Sequence, residues 1–432
     1  MDSGGGIPID SANHMNGSFH LKSFGRRRLA RGPAILALGL LGLSLAGCSG
    51  RKADRPVDPD LAHPVLAYEP IAPGVEHAEF CRMQPTPLSY HVVRADLGQG
   101  GVSLGVLHTA VGSGVGRGSV GQMAEAIATP ERRVVAAISG DYFGNGMAGP
   151  WGIHLVDGRL YYSPSGRSAL LVDPQGRPLI DRPQSKLQLQ IGDDPAWLDI
   201  RDMNRPGLGE EPGLHLYANS GEVVEAPAPK GAVAIAADLP LAGGVVAGTV
   251  TGLIPPGSSV PLPPTGLVLA CAGPDAAAGL PAGLREGAAV RIRTELVPAA
   301  QEAVGGGPRI VRDGKVSIEL EPDGICVAEA SYLKRLHPRA VVGIGDRGRK
   351  VFLVVVRGRC EESVGLGLQD LADLMVGLGA SDAIMFDGGD SATIFENNDY
   401  VVKGRVGARS MCNGLAVLAP PIPAPPNEGR AP

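Results

Sequence analysis

Residues 386–395 read FDGGDSATIF. Two carboxylates, Asp387 and Asp390, flank Gly388 and Gly389, and two hydroxyls, Ser391 and Thr393, follow at once. Glycine takes positive φ at little cost and lets the backbone approach a ligand closely. Its amides can then line an anion-binding concavity, with the two hydroxyls as further donors. The same letters also suit a plain turn or helix cap, because Asp-Gly and Asp-Ser are common turn chemistry. The loop is not an EF-hand, since the spaced oxygen ligands and the terminal Glu are missing. Nor is it a phosphate-binding P-loop, since no Gly-Lys-Ser/Thr follows.

The flanking elements decide where such a loop sits. KVFLVVVRG (350–358) is a short apolar, β-branched run ending at Gly, the pattern of a buried strand. In LQDLADLMVGLG (368–379), Leu368, Leu371, Ala372, Met375 and Leu378 recur at three- and four-residue steps. That spacing predicts an amphipathic helix stopped by Gly379. DAIMFDGG (382–389) reads as a second strand running into the glycine pair. Strand, helix and strand together predict a βαβ unit with a parallel crossover. Ligands tend to bind at the carboxyl ends of such strands, and the DGGDSAT loop stands at one of them.

Upstream, VSLGVLHTAV (102–111) and RRVVAAISGDYF (132–143) read as strands, with a short helix over 122–128. Asp157-Gly158 and Asp313-Gly314 each mark the turn of a β-hairpin. Residues 222–300 carry short strands rich in Val, Ala, Gly and Pro, with no clustered charge, and read as scaffold. The expectation is an α+β fold: one large domain with a strand-rich mixed sheet, a β-rich middle section and the C-terminal βαβ unit.

Among 432 residues, 63 Gly and 38 Pro favour many short strands and turns. Aromatics make up 4 %, so the core must be built mainly of Val, Leu, Ile and Ala. A net charge of −5 offers no basic excess to neutralise phosphates, which argues against general nucleic-acid binding. Arg26, Arg27, Arg28 and Arg31 precede an apolar run from Pro33 to Ala46, too short to span a bilayer. It ends in Leu45-Ala46-Gly47-Cys48, similar to a bacterial lipobox in which Cys48 is lipidated. The expected boundaries are a lipoprotein signal peptide over 1–47, a polar tether over 48–75, the folded domain over 76–419 and a Pro-rich disordered tail over 420–432. With Ser49 after the cysteine, the expected location is the cell envelope, at the outer membrane. The cysteines show no zinc-type spacing, and no disulfide pairing follows from the sequence.

Seven segments, in order, carry a resemblance. AAISGDYF (136–143), PWGIHLVDGRLYYSP (150–164) and MNRPG with GLHLYANSG (203–221) are similar to early motifs of the phosphodiester glycosidase family. GGGPRIVRDGKV (305–316), HPRAVVGIG (337–345), the helix with FDGGDSATIF, and RSMCNGLAVL (409–418) are similar to its later ones. The chain departs from the family pattern at Ser139 for Asn, Ala340 for Thr, Arg357 for Asp, Asp390 for a third Gly and Ala392 for Ser.

The resemblance implies hydrolysis of a sugar held through C1 to a phosphodiester. An oxocarbenium-like centre needs a nearby carboxylate, and an anionic phosphodiester calls for Arg forks or backbone amides. On that basis Asp387 is the leading catalytic carboxylate and Asp390 the second, either positioning water or holding a cation with Asp387. Arg309 and Arg339 are the expected phosphate binders, each with a structural ion pair as its alternative. Asp141 is expected on the sugar hydroxyls or as a loop cap, and Arg359 behind the DGG loop. Gly388, Gly389, Ser391 and Thr393 are expected as donors. No cofactor is expected, although a divalent cation between Asp387 and Asp390 stays open. The expected partners are a glycosyl phosphodiester or polysaccharide and, through Cys48, a membrane. Two other readings stand beside this hydrolase: a non-catalytic glycan-binding lipoprotein on the same fold, and a metal-dependent phosphodiesterase.

Overall fold

A computed structural model describes residues 56–111, 114–144, 147–205, 212–220, 223, 225–272, 279–325, 335–404 and 408–421. The signal sequence, Cys48, Cys326 and the tail beyond 421 lie outside the described residues.

Eight strands form the largest sheet, in the order Glu69–Ala72, Val75–Arg82, Leu88–Asp96, Lys350–Val356, Arg339–Gly345, Ala380–Phe386, Arg309–Arg312 and Lys315–Val316. Its two faces are both covered, which explains the unbroken apolar run of Lys350–Val356. Side chains alternate across the sheet with period two. Val93, Val342, Leu353 and Ile384 face a core shared with two five-stranded sheets. Val92, Val341, Val354 and Met385 face the helix Leu368–Gly377, through Leu368, Leu371, Ala372 and Met375. That apolar stripe is the one its spacing predicts.

The expected βαβ unit needs correction. Lys350–Val356 and Ala380–Phe386 do run parallel, joined by the helix, but they do not pair. Arg339–Gly345 lies between them and is antiparallel to both. The reason is local: Arg339–Gly345 and Lys350–Val356 close a hairpin through the 346–348 turn before the helix crosses over. The expected tether also ends earlier than read. Residues 59–62 form a short helix with Leu61 buried, and Glu69–Ala72 is an edge strand. Arg82 donates to Asp58 and Asp60, fastening that segment to the sheet.

The β-rich middle closes into a seven-stranded barrel made of Gln184–Ile191, Leu198–Met203, Gly213–Tyr217, Leu267–Ala272, Ala232–Ala237, Gly244–Ile254 and Ala289–Val297. Its interior is filled by side chains such as Leu187, Leu189, Leu216, Val233, Leu269 and Ile292. Closure removes the exposed edges that short strands would otherwise present. Both expected hairpins form. Asp157 and Gly158 have φ of 48° and 75°, and Asp313 and Gly314 have φ of 51° and 70°, the positive values a two-residue type I′ turn needs.

Candidate active site

The strand Ala380–Phe386 delivers Asp387 to its carboxyl end, and three other segments meet it there. The Asp387 N–H donates to the carbonyl of Gly140 at 2.8 Å, and the Ser139 hydroxyl donates to the Asp387 carbonyl at 3.2 Å. Asn413 accepts from the Asp141 amide at 2.8 Å through Oδ1, and its own carbonyl accepts from the Gly140 amide at 3.2 Å. The Gly389 amide donates to the Pro338 carbonyl at 2.9 Å. The glycine pair is required by this crowding. A Cβ on Gly388 would lie 2.7 Å from the Pro338 oxygen, and Gly389 has φ of 60°.

Asp387 is recessed but partly open to solvent. Burial pushes its carboxyl up to about 6, with Asp141 and Asp390 pushing the same way. The Ser391 hydroxyl, which donates to it, and the Arg409 guanidinium pull it back. Arg409 Nη1 in turn donates to Ser391 Oγ at 3.3 Å, so Arg409, Ser391 and Asp387 form a short relay. Thr393 is buried, with no partner for its hydroxyl among the described residues.

Asp141 is buried, and its two oxygens accept from the amides of Tyr142 at 2.8 Å and Gly152. Burial raises its carboxyl, against the pull of Arg167, the two amides and Arg205. It is thus a capped carboxylate of its own loop. Arg205 is buried behind it and donates to the carbonyls of Pro150 at 2.7 Å, Gly152 at 2.6 Å and Ser163. Removing that charge from water lowers the guanidinium to about 10.

One wall of the site is aromatic. The rings of Tyr142 and Trp151 lie 5.7 Å apart, and the Arg167 guanidinium stands 5.5 Å and 5.4 Å from their centroids. The Tyr142 hydroxyl is buried without a hydrogen-bond partner among the described residues. Burial and the charges of Asp387 and Asp141 hold it protonated, while Arg167 and Arg339 act against them. It is therefore a donor in want of an acceptor. At the rim, Phe143 carries two guanidiniums, Arg117 and Arg409, each 4.9 Å from its centroid.

Several expected roles change. Arg309 does not reach the site. Its guanidinium pairs with Asp382 and donates to the carbonyls of Ile180 at 3.1 Å and Val311 at 3.3 Å. Asp382 precedes Asp387 by five residues, roughly 16 Å at the usual rise, so Arg309 serves in an ion pair with the half-buried Asp382. Arg339 stands at the correct end of the sheet, since its neighbour Ala340 lies opposite Phe386. Its side chain is buried, donating to the carbonyls of Leu366 at 2.9 Å and Arg335 at 2.8 Å, and so braces neighbouring loops. Asp390 pairs with Arg359 at 3.2 Å, and Arg359 donates to His337 Nδ1 at 2.9 Å. That chain latches the DGG loop to the 337–338 segment and holds the Asp390 carboxylate in an ion pair. Among the described residues, no three His, Cys, Asp or Glu side chains converge to hold a metal.

This geometry joins a recessed carboxylate of raised pKa, an aromatic wall and a cationic rim. Residues 241–418 match the phosphodiester glycosidase family. That span holds the later motifs, including FDGGDSATIF and RSMCNGLAVL. AAISGDYF precedes it in the chain, yet meets the Asp387 loop through Gly140 and packs against Asn413 through Asp141. The match supports a glycosidase-type activity. A hypothetical protein from Synechocystis shares the fold, with a TM-score of 0.64 and 18 % identity over 82 % of this chain. This chain spans 64 % of that protein's length. An exported-protein candidate from Burkholderia pseudomallei aligns with a TM-score of 0.58 and 20 % identity, over 78 % of this chain and 75 % of its own. The catalytic domain of zebrafish N-acetylglucosamine-1-phosphodiester alpha-N-acetylglucosaminidase, auto-inhibited by its pro-peptide, aligns at a TM-score of 0.42 and 14 % identity, over 82 % of this chain and 83 % of its own. No curated protein matches the chain by sequence.

Arg409, Tyr142, Trp151, Arg167, Arg205 and Asn413 received no role from the sequence. Arg409 and Asn413 lie inside the RSMCNG motif, and Tyr142 inside GDYF, so the motif context marked them. Nothing local marked Arg167.

Proposed function

We propose that the site hydrolyses a glycosyl-1-phosphodiester at the C1–O bond. The observation that carries this reading is Asp387: a recessed carboxylate, titrating at about 6, between an aromatic wall and a cationic rim. In its ionised form it stabilises the positive charge that develops at C1, or bonds to C1 directly. Water supplies the hydroxyl that ends on the sugar, and the phosphate departs with the C1 oxygen as a phosphomonoester. Phosphate is a weak base, so its departure needs little help from a general acid. In this reading the Tyr142 hydroxyl donates to a sugar or phosphate oxygen, which would supply the acceptor it lacks among the described residues.

The substrate class is a GlcNAc-1-phosphodiester or a close relative in cell-surface or extracellular polysaccharide. The protein is exported and lipid-anchored through Cys48. Among the described residues no helix is long and apolar enough to cross a membrane. Incorporation of a labelled fatty acid, lost in Cys48→Ala, tests that placement.

The catalytic reading is tested by sugar release from a panel of glycosyl-1-phosphodiesters. Wild type is expected to turn over at least one, and Asp387→Asn to lose about 10²–10⁴-fold in rate. Equal inertness of both across the panel rejects hydrolysis and leaves a glycan-binding protein.

A further inference from the structure

We propose that Arg117 and Arg409, stacked on Phe143, form the subsite that grips the phosphate-bearing half of the substrate. The proposal rests on the reading of Asp387 as the group that acts at C1. Once C1 is placed against that carboxylate, the sugar ring and the phosphate must leave it in different directions. The Tyr142–Trp151 wall offers ring faces and suits the sugar. Beside that wall stands the Phe143 rim, where two guanidiniums lie 4.9 Å from one ring and one of them is linked to Asp387 through Ser391.

Three observations favour this rim over the other cations of the region. First, Arg309 and Arg339 are buried, whereas Arg117 and Arg409 are exposed to solvent where a ligand can reach them. Second, Arg409 is coupled to the reacting centre. Its Nη1 donates to the Ser391 hydroxyl that donates to Asp387, and its charge lowers the Asp387 carboxyl. Third, the ring face steadies each cation through its quadrupole, and a guanidinium carries five N–H donors, so it can engage a phosphate oxygen beside its other contacts.

The chemistry gives the rim a catalytic consequence. A phosphodiester carries one negative charge, and the departing phosphomonoester carries close to two at neutral pH. The arginines therefore bind the transition state more tightly than the substrate, which is the condition for raising kcat as well as lowering KM.

The test compares binding of GlcNAc-1-phosphate, glucose-1-phosphate, inorganic phosphate and the unphosphorylated sugars by calorimetry. It uses the full chain carrying Asp387→Asn, alone and combined with Arg409→Gln, Arg117→Gln or both. Phe143→Leu serves as a further variant that leaves both charges in place, and circular dichroism checks folding. The parent is expected to prefer the sugar phosphates to the free sugars. Each Arg→Gln change should cut that preference about tenfold, as expected for loss of a charged hydrogen bond, and should weaken its salt dependence. Phe143→Leu should cut it less than either. A preference that survives in the double variant overturns the subsite, as does failure of every phosphate probe to bind the parent. The two readings separate in parallel turnover assays. If kcat and KM for a phosphodiester are unchanged by Arg117→Gln and Arg409→Gln, the subsite fails and hydrolysis stands. If the arginines govern sugar-phosphate binding but no phosphodiester is cleaved, the subsite stands and hydrolysis fails.

Discussion

Replacing Asp387 by Asn should make the folded protein more stable while removing its activity. The carboxyl titrates at about 6 in the fold and near 3.8 when solvated, so the folded state holds its proton more tightly than the unfolded chain. The folded state thus loses stability as pH rises from about 4 to 6. Two pH units of difference correspond to about 3 kcal/mol, the cost of keeping an ionised carboxylate at this recessed position. Asn keeps the shape and an acceptor for the Ser391 hydroxyl, but never ionises. The variant should match wild type at pH 4 and exceed it by about 1–3 kcal/mol at pH 8, the lower figure allowing for one weakened hydrogen bond. Urea denaturation of both proteins at the two pH values, followed by tryptophan fluorescence, reads this difference directly. A variant less stable than wild type at pH 8, or an equal difference at both pH values, would refute the claim that desolvation dominates at Asp387.

The same carboxyl shapes the pH dependence of the reaction: kcat/KM should rise with pH through about 6 and then level off, and a rate falling through that range would mean that the protonated form is the active one. Asp390→Gly removes the half-exposed pair with Arg359, which is worth about 0–1 kcal/mol. Its kcat should drop less than about tenfold, whereas a true second catalytic carboxylate would cost about 10²–10⁴. Arg309→Gln removes the buried guanidinium from the half-exposed Asp382, which keeps the Ser381 hydroxyl as donor, and should cost about 1–3 kcal/mol in denaturation. A change in KM for a phosphodiester without that loss of stability would return Arg309 to the site.

What was legible in the sequence was local. Asp157-Gly158 and Asp313-Gly314 declared their turns because positive φ is a property of two adjacent residues. Leu368, Leu371, Ala372 and Met375 declared a buried helical stripe by spacing alone. The glycine pair of FDGGDSATIF announced close backbone approach, and a Cβ on Gly388 would indeed lie 2.7 Å from the Pro338 oxygen. What stayed hidden depends on partners far away in the chain. Ser139 and Asp387 meet across 248 positions, and Arg309 finds Asp382 across 73. An arginine's composition does not say whether its fork will face a ligand or a neighbouring carboxylate. The hairpin of Arg339–Gly345 with Lys350–Val356 was equally invisible, because a strand–helix–strand pattern is the same whether or not another strand lies between. The barrel closes through one parallel pairing, of Leu198–Met203 with Gly213–Tyr217, that short alternating runs do not specify.

The central claim is that a bond to C1, and not a bond to phosphorus, is broken beside Asp387. Hydrolysis of any accepted glycosyl-1-phosphodiester in ¹⁸O-labelled water tests it with one mass spectrum of the products. Attack at C1 places the label in the sugar and leaves the phosphomonoester unlabelled, which is the predicted result. Label in the phosphate would mean P–O cleavage, and would contradict the role assigned to Asp387.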